Sequence, residues 1–230
     1  MFFDPVYFIF ILPGIILSLW ASLKTKGTFS KYSEVASVNN VTGAEAARRL
    51  LNYSGIHDVR IEETSGFLSD HYDPSDKTLR LSHDVYHSTS LSAIGVACHE
   101  AGHAIQHATG YEPLKMRSSL VPALNFASPM SYIFFVIGIL FNFTSLVYIG
   151  IICFALCFVF ALVTLPVEYN ASMRAKDLMV TAGVVSYEEA NDSSKVLYAA
   201  FLTYVAAAVS SLLTLLYYLW RSGLLSNNDD

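Results

Sequence analysis

Charge is what this chain most lacks. Charged residues make up 14% of its 230 positions, against roughly a quarter in soluble domains. The shortage is local. No Asp, Glu, Lys or Arg occurs in the fifty residues from Ser118 to Val167, nor in the 25 from Val196 to Trp220. A helix crossing a bilayer needs about 20 mostly apolar residues, so the second run holds one span and the first holds two. Too little chain remains to cover such helices as a soluble core, which excludes an ordinary water-soluble fold. Basic residues are also missing ahead of the first apolar stretch, Val6 to Leu23. A secretory signal normally opens with positive charge. This stretch therefore reads as a retained anchor, with Lys24, Lys26 and Lys31 behind it on the inner side. Cysteine is scarce as well: Cys98, Cys153 and Cys157 form no paired framework, so no disulfide and a reducing compartment are expected. The net charge of −5 and the lack of a basic patch with interleaved aromatics point away from nucleic acid.

The chain is expected to be a multi-pass α-helical membrane protein with a small α+β zincin-like catalytic portion. Helices are expected near 3–23, 119–141, 146–166 and 196–220. The corresponding divisions are an anchor (1–23), a polar region with a histidine helix (24–117), a helical hairpin (118–167), a short polar segment (168–195), and a last span with its tail (196–230). The larger polar block carries ten Lys and Arg and the smaller carries three, whereas the turn at Asn142 carries none. That imbalance puts both polar blocks in the cytoplasm, on one side of the cell membrane. Within them, Thr42-x-x-Glu45 and Ser186-x-x-Glu189 have the form of capping boxes. The first opens a short helix, and the second opens one that runs on into the last span. Val59 and Ile61 suggest a strand, Tyr72 to Asp76 a turn, and Lys77 to Leu81 a second strand. A helix is expected from Leu91 to Thr109, stopped by Gly110, and another from Glu168 to Ala182, stopped by Gly183.

The chemistry lies in His99-Glu100-Ala101-Gly102-His103. Two histidines four apart lie on one helical face, a turn from each other. Both can reach one zinc ion at about 2.0–2.1 Å. Glu100, beside the first histidine, is placed to act as a general base without binding the metal. The flanking residues are small and apolar, so three ionisable groups are costly to bury there without a partner. A catalytic zinc site needs a third protein ligand and an open fourth position. His107 continues the series, but about 12 Å of helix rise separates it from His99. The extended pattern with a third histidine fails too, because Gln106 and Thr109 stand where it needs glycine and histidine. His71, His83 and His87 read as loop or surface residues. Glu168, the first charge after fifty uncharged residues, is either the third ligand or a solvated carboxylate at the membrane boundary.

At this point the sequence resembles the YugP-like neutral zinc metallopeptidases of bacterial membranes. The resemblance rests on Tyr72-Asp73-Pro74, on Leu79-Arg80-Leu81-Ser82, on the run from Ala93 to Gln106, on Pro166 to Ser172, and on the N-terminal anchor. It covers nearly the whole chain. It implies a gluzincin-type site with one Zn²⁺ per chain, in which His99, His103 and Glu168 are the ligands and Glu100 is catalytic. The wider group that includes the CAAX prenyl proteases and HtpX-like proteases carries an aspartate four residues after the ligand glutamate. Here that position holds Ser172, which can hydrogen-bond a histidine but brings no charge. Ser172 and Arg174 are candidates to assist the site.

These features point to a membrane-embedded zinc metalloendopeptidase working at the cytoplasmic membrane face, with polypeptide as substrate and the lipid bilayer as surroundings. The strand at 77–81 either offers an edge to an extended substrate or merely packs. A rival of another class is a catalytically silent zinc-binding membrane adaptor, although a purely structural site has no need of Glu100. A metal transporter would carry ionisable groups within its spans, and these spans have almost none; Asn125 is their one strongly polar group.

Overall fold

Among the described residues, four helices are long and apolar enough to cross a bilayer: α1 (Pro5–Ser33), α5 (Glu112–Leu140), α6 (Thr144–Thr181) and α7 (Tyr187–Arg221). The computed structural model describes residues 5–66 and 69–225. Residues 3 and 4 of the expected first span, and residues 226–230 of the tail, lie outside the described residues. The apolar windows of these four helices are mostly unburied within the protein, from 11% buried in α1 to 22% in α5. Large side chains such as Ile9, Ile16 and Ile152 are left more than half exposed. An apolar surface of this extent needs lipid rather than water around it. The chain is a multi-pass helical membrane protein with a small three-stranded sheet.

The chain divides into two units, and each of the four long helices contributes to both. The first unit takes residues 1–21, 116–165 and 203–230. Its core gathers Phe135, Val147, Ile151, Tyr217 and Tyr218. Phe135 and Tyr218 stack with ring centroids 3.8 Å apart. Where hydrophobic drive between helices is weak, close backbone approach over small residues replaces it. A Cβ on Gly150 would lie 2.7 Å from the Phe135 nitrogen and 2.9 Å from the Ser131 oxygen. Asn142 turns the chain between α5 and α6 with φ of 57°, a left-handed conformation that asparagine tolerates better than most residues.

The second unit takes residues 22–115 and 166–202. It holds α2 (Gly43–Tyr53), β1 (Arg60–Thr64), β2 (His71–Asp73), β3 (Thr78–Ser82), α3 (His83–Tyr86) and α4 (Leu91–Ala108). The sheet order is β1-β3-β2, with β1 parallel and β2 antiparallel to β3. This corrects the edge reading of the strand at 77–81. β3 is the central strand, with Leu79 and Leu81 fully buried, and both of its edges are already paired. The outer strands are β1 and β2. β2 also takes in Tyr72 and Asp73, which the sequence assigned to a turn; the turn itself follows at Pro74.

Local signals set the helix ends. Thr42 Oγ1 accepts from the Glu45 amide, while the Glu45 carboxylate turns away to Arg49, so only half of that capping box forms. At Ser186 both halves form: the Ser186 amide donates to Glu189, and the Glu189 amide donates to Ser186 Oγ. That helix runs unbroken to Arg221, as the sequence suggested. α4 starts at Ser90, whose hydroxyl accepts from the Ala93 amide, and stops before Gly110 at φ of +67°. α1 and α6 both run past the limits of their apolar stretches, α1 through Lys24 to Ser33 and α6 through Pro166 to Thr181.

Replacing Gly150 with leucine should overpack the α5–α6 contact, a class of change that costs about 1–3 kcal/mol. A thermal melt of the purified protein in detergent should fall by several degrees. Gly27→Ala, where an added Cβ meets nothing within 4 Å, should leave the melt unchanged or slightly raised.

Candidate metal centre

The histidine helix α4 is built from small residues on the faces that other backbones approach. A Cβ on Gly102 would sit 2.7 Å from the Ala171 carbonyl oxygen of α6, and one on Gly95 would sit 3.3 Å from the Ser193 oxygen of α7. Glycine in a helix interior is unfavourable by about 1 kcal/mol relative to alanine; here it allows α6 to lie directly against the histidines. On the other side, Ala46, Ala47, Leu50 and Leu51 of α2 are buried in the same core as Ala93, Ala97 and Ala101.

This packing brings three of the sequence-designated residues together. Glu168 Oε2 lies 3.2 Å from His99 Nε2 and 3.5 Å from His103 Nε2. The two imidazole rings stand nearly perpendicular, at 82°, with centroids 4.8 Å apart. Ligand atoms arranged tetrahedrally around zinc at 2.0–2.1 Å are roughly 3.3 Å from one another. These two separations straddle that value, and all three donor atoms lie within 4.8 Å of one another, so the set can hold a zinc ion. Glu168 is only 1% exposed and His103 only 8%, so water does little to stabilise their charge.

Each imidazole is oriented from its far side. His103 Nδ1 lies 3.0 Å from Gln106 Oε1. Gln106 is fully buried, and its amide donates to the Val167 carbonyl at 2.8 Å and to Asn170 Oδ1 at 2.9 Å. Because the Gln106 nitrogen is occupied in this way, its oxygen faces the ring. His103 Nδ1 is then the protonated nitrogen, and Nε2 is free to bind metal. Arg174 Nε donates to the same Asn170 oxygen at 2.8 Å. His99 Nδ1 meets Ser172 Oγ at 3.1 Å, so the serine stands beside the ring that an aspartate would orient in the wider group. The sequence argument missed Gln106 and Asn170 as supports. Their signal was spacing: Gln106 follows His103 by three residues, which puts it on the same helical face.

Glu100 stands apart from the three-donor group. Its Oε2 accepts from the Tyr72 amide of β2 at 3.1 Å. Burial pushes its carboxyl above the usual range, both histidines pull it back, and Glu168 and Asp70 push it further up. Burial by itself would depress His103, but its hydrogen bond to Glu168 and the charge of Glu100 outweigh that, so its pKa moves up. A proton thus competes with metal for this nitrogen. His107 is not in the group; its Nδ1 meets the Tyr72 hydroxyl at 2.8 Å. His71 is exposed, with Nδ1 2.8 Å from the Ser69 carbonyl oxygen. His83 and His87 lie together with Glu63 in a separate exposed cluster. Cys98 is buried and in no disulfide, burial pushes its thiol above the usual range, and it is not in the three-donor group.

Comparison with known proteins identifies the family. Residues 7–223 match the family described as "Putative neutral zinc metallopeptidase". The chain belongs to this family. It is similar to "Putative membrane protease YugP" of Bacillus subtilis (strain 168), with 48% identity over 210 residues, covering 91% of this chain and 93% of that protein. No solved structure matches the chain. Membership identifies a hydrolase of the zinc-peptidase kind, and the His99, His103 and Glu168 cluster is a candidate for its metal centre.

Gly102→Val should force α4 and α6 apart at Ala171 and spread the three donors. The expected loss is about 1–3 kcal/mol of stability, together with weaker zinc binding, measured by chemical denaturation and by metal titration. Unchanged values for both would mean that the backbone contact does not set the donor spacing.

Proposed function

We propose that this chain is a zinc metalloendopeptidase of the cell membrane, with His99, His103 and Glu168 as metal ligands and Glu100 as the general base. The observation that carries the reading is the division of labour between two carboxylates, Glu168 buried and Glu100 half-buried. Glu168 meets both imidazoles. Glu100, one residue from His99 in sequence, meets neither and faces a sheet edge.

Zinc, when bound, supplies Lewis acidity toward water and toward a peptide carbonyl. The protein's own groups do the rest. Glu100 takes a proton from water at its carboxylate and delivers it to the nitrogen of the departing amine. The environment that raises its pKa suits a base that must also return the proton. Gln106 and Ser172 hold the two rings so that each presents Nε2. β2 is the outer strand nearest to Glu100, and we assign to it, instead of the central β3, the task of pairing with an extended polypeptide. Ser172 also lines a cavity of about 660 Å³ that includes Lys24, Lys31, Lys176 and Lys195. Those ammonium groups favour acidic or carboxylate-terminated segments of substrate.

The distribution of Lys and Arg supports a cytoplasmic position for the catalytic part. In intact cells, a cysteine introduced at Ser69 should resist a membrane-impermeant thiol reagent, and one at Asn142 should react. The native cysteines are first replaced. Labelling of the Ser69 variant from outside would reverse the orientation.

The chemical role is tested with two substitutions. Glu100→Gln should keep one tightly held zinc and lose hydrolysis by several orders of magnitude, because the base is not a ligand. Glu168→Ala should weaken zinc binding by at least about ten- to a hundredfold. Zinc content and affinity come from metal titration. Hydrolysis is read from new protein N-termini in membranes that carry either the wild type or Glu100→Gln. If the two membranes give identical termini, the chain is a silent zinc-binding adaptor.

A further inference from the structure

A second set of the same three donors stands on the surface. Glu63 lies on β1, His83 opens α3, and His87 follows its last residue. His83 Nδ1 is 2.6 Å from Glu63 Oε1, and His87 Nε2 is 3.1 Å from Glu63 Oε2. Each carboxylate oxygen thus meets a different imidazole, and the two rings are 5.0 Å apart at their centroids. All three residues offer donor atoms within 4.8 Å of one another. We propose that Glu63, His83 and His87 form a surface site for a divalent transition-metal ion such as zinc, separate from the His99 cluster.

The residue types select the ion. Two imidazoles and one carboxylate suit zinc, copper or nickel, whereas magnesium and calcium prefer oxygen throughout. The spacing repeats the logic of the first site, with histidines four apart on one turn and a carboxylate from another element. At 2.6 and 3.1 Å the donors are closer than the roughly 3.3 Å of a tetrahedral zinc edge. They must open by a few tenths of an ångström, and with side-chain exposures of 72%, 55% and 43% for His83, His87 and Glu63 they are free to do so. The ion takes the place of the proton that each hydrogen bond holds between imidazole and carboxylate. Both histidines also line a depression of about 530 Å³, shared with Asp84 and Lys26. It leaves room for water to complete the coordination. Lys26 opposes a cation there, and the exposure screens the attraction, so this site is the weaker of the two.

Its position gives it a mechanical consequence. β1 pairs with β3 up to Thr64 and Ser82, and α3 begins at the next residue. An ion at Glu63 would fasten the end of β1 to the turn that leads into the histidine helix. It would stabilise that connection without touching the reacting groups.

The test uses the full-length protein, purified in detergent and stripped of metal. Zinc is titrated by calorimetry, and cobalt by its visible absorption. The wild type should show a tight site and a weaker one. His83→Ala/His87→Ala should lose the weaker step and keep the tight one, and Glu63→Gln should weaken that step roughly tenfold. His99→Ala/His103→Ala should keep the weaker step. If that variant fails to fold, the comparison of wild type with His83→Ala/His87→Ala still decides the matter. Once the tight site is filled, further zinc should raise the melting temperature of the wild type but not of the His83→Ala/His87→Ala variant. Coincident zinc isotherms for the wild type and this variant overturn the proposal. Failure of the peptidase reading would change activity and the tight step, and would leave this comparison intact.

Discussion

Glu168 carries a carboxylate into a place that water barely reaches, and its surroundings are arranged around that charge. An ion of this kind costs several kcal/mol to desolvate. His99 and His103 offset that cost at 3.2 and 3.5 Å. Either ring alone would leave the carboxylate half compensated. Two imidazoles and one carboxylate at tetrahedral spacing also form the donor set that a zinc ion needs, so the groups that make the burial tolerable are the ones that would hold the metal.

Backbone approach makes this contact possible. Gly102 stands between the two histidines and lets the Ala171 carbonyl come within 2.7 Å of where a Cβ would be. Any side chain there would move α6 outward and take Glu168 with it. The same tight packing leaves no room for solvent around Gln106, so each of its polar atoms has a protein partner. Those partners hold the His103 ring in one orientation. His99 has a lighter support in Ser172, a neutral hydroxyl where the wider group has a carboxylate. The negative charge near the histidines therefore comes from Glu168 and Glu100, with none added behind the rings.

The membrane helices and the site are built from the same continuous segments. α6 begins among apolar residues and ends well past Glu168. Glu168 therefore sits on a continuous helix and not on a loop. Pro166 falls two residues before Glu168 and does not end the helix. Proline inside a membrane helix is tolerated where neighbouring groups take up the freed carbonyls.

The sequence by itself determined what is local or periodic. The uncharged runs specified four spans, because hydrocarbon excludes charge regardless of what packs nearby. The five-residue motif specified two ring nitrogens on one helical face, because helix geometry alone relates positions four apart. Capping residues located the starts of α2 and α7 for the same reason. Tertiary structure decided whatever depends on a distant segment. α1 and α6 run on past their apolar stretches to Ser33 and Thr181, limits that the apolar pattern does not mark. β3 became a central strand because β1 and the three-residue β2 both paired with it, and strand order is not encoded in either neighbour alone. Residue chemistry left Glu168 evenly divided between ligand and solvated carboxylate. Sixty-four residues lie between it and His103, and only the packing of α6 on Gly102 brings its carboxylate to the imidazoles. Glu63 likewise lies on a different element from His83 and His87, and its place beside them is visible only once β1 has paired with β3.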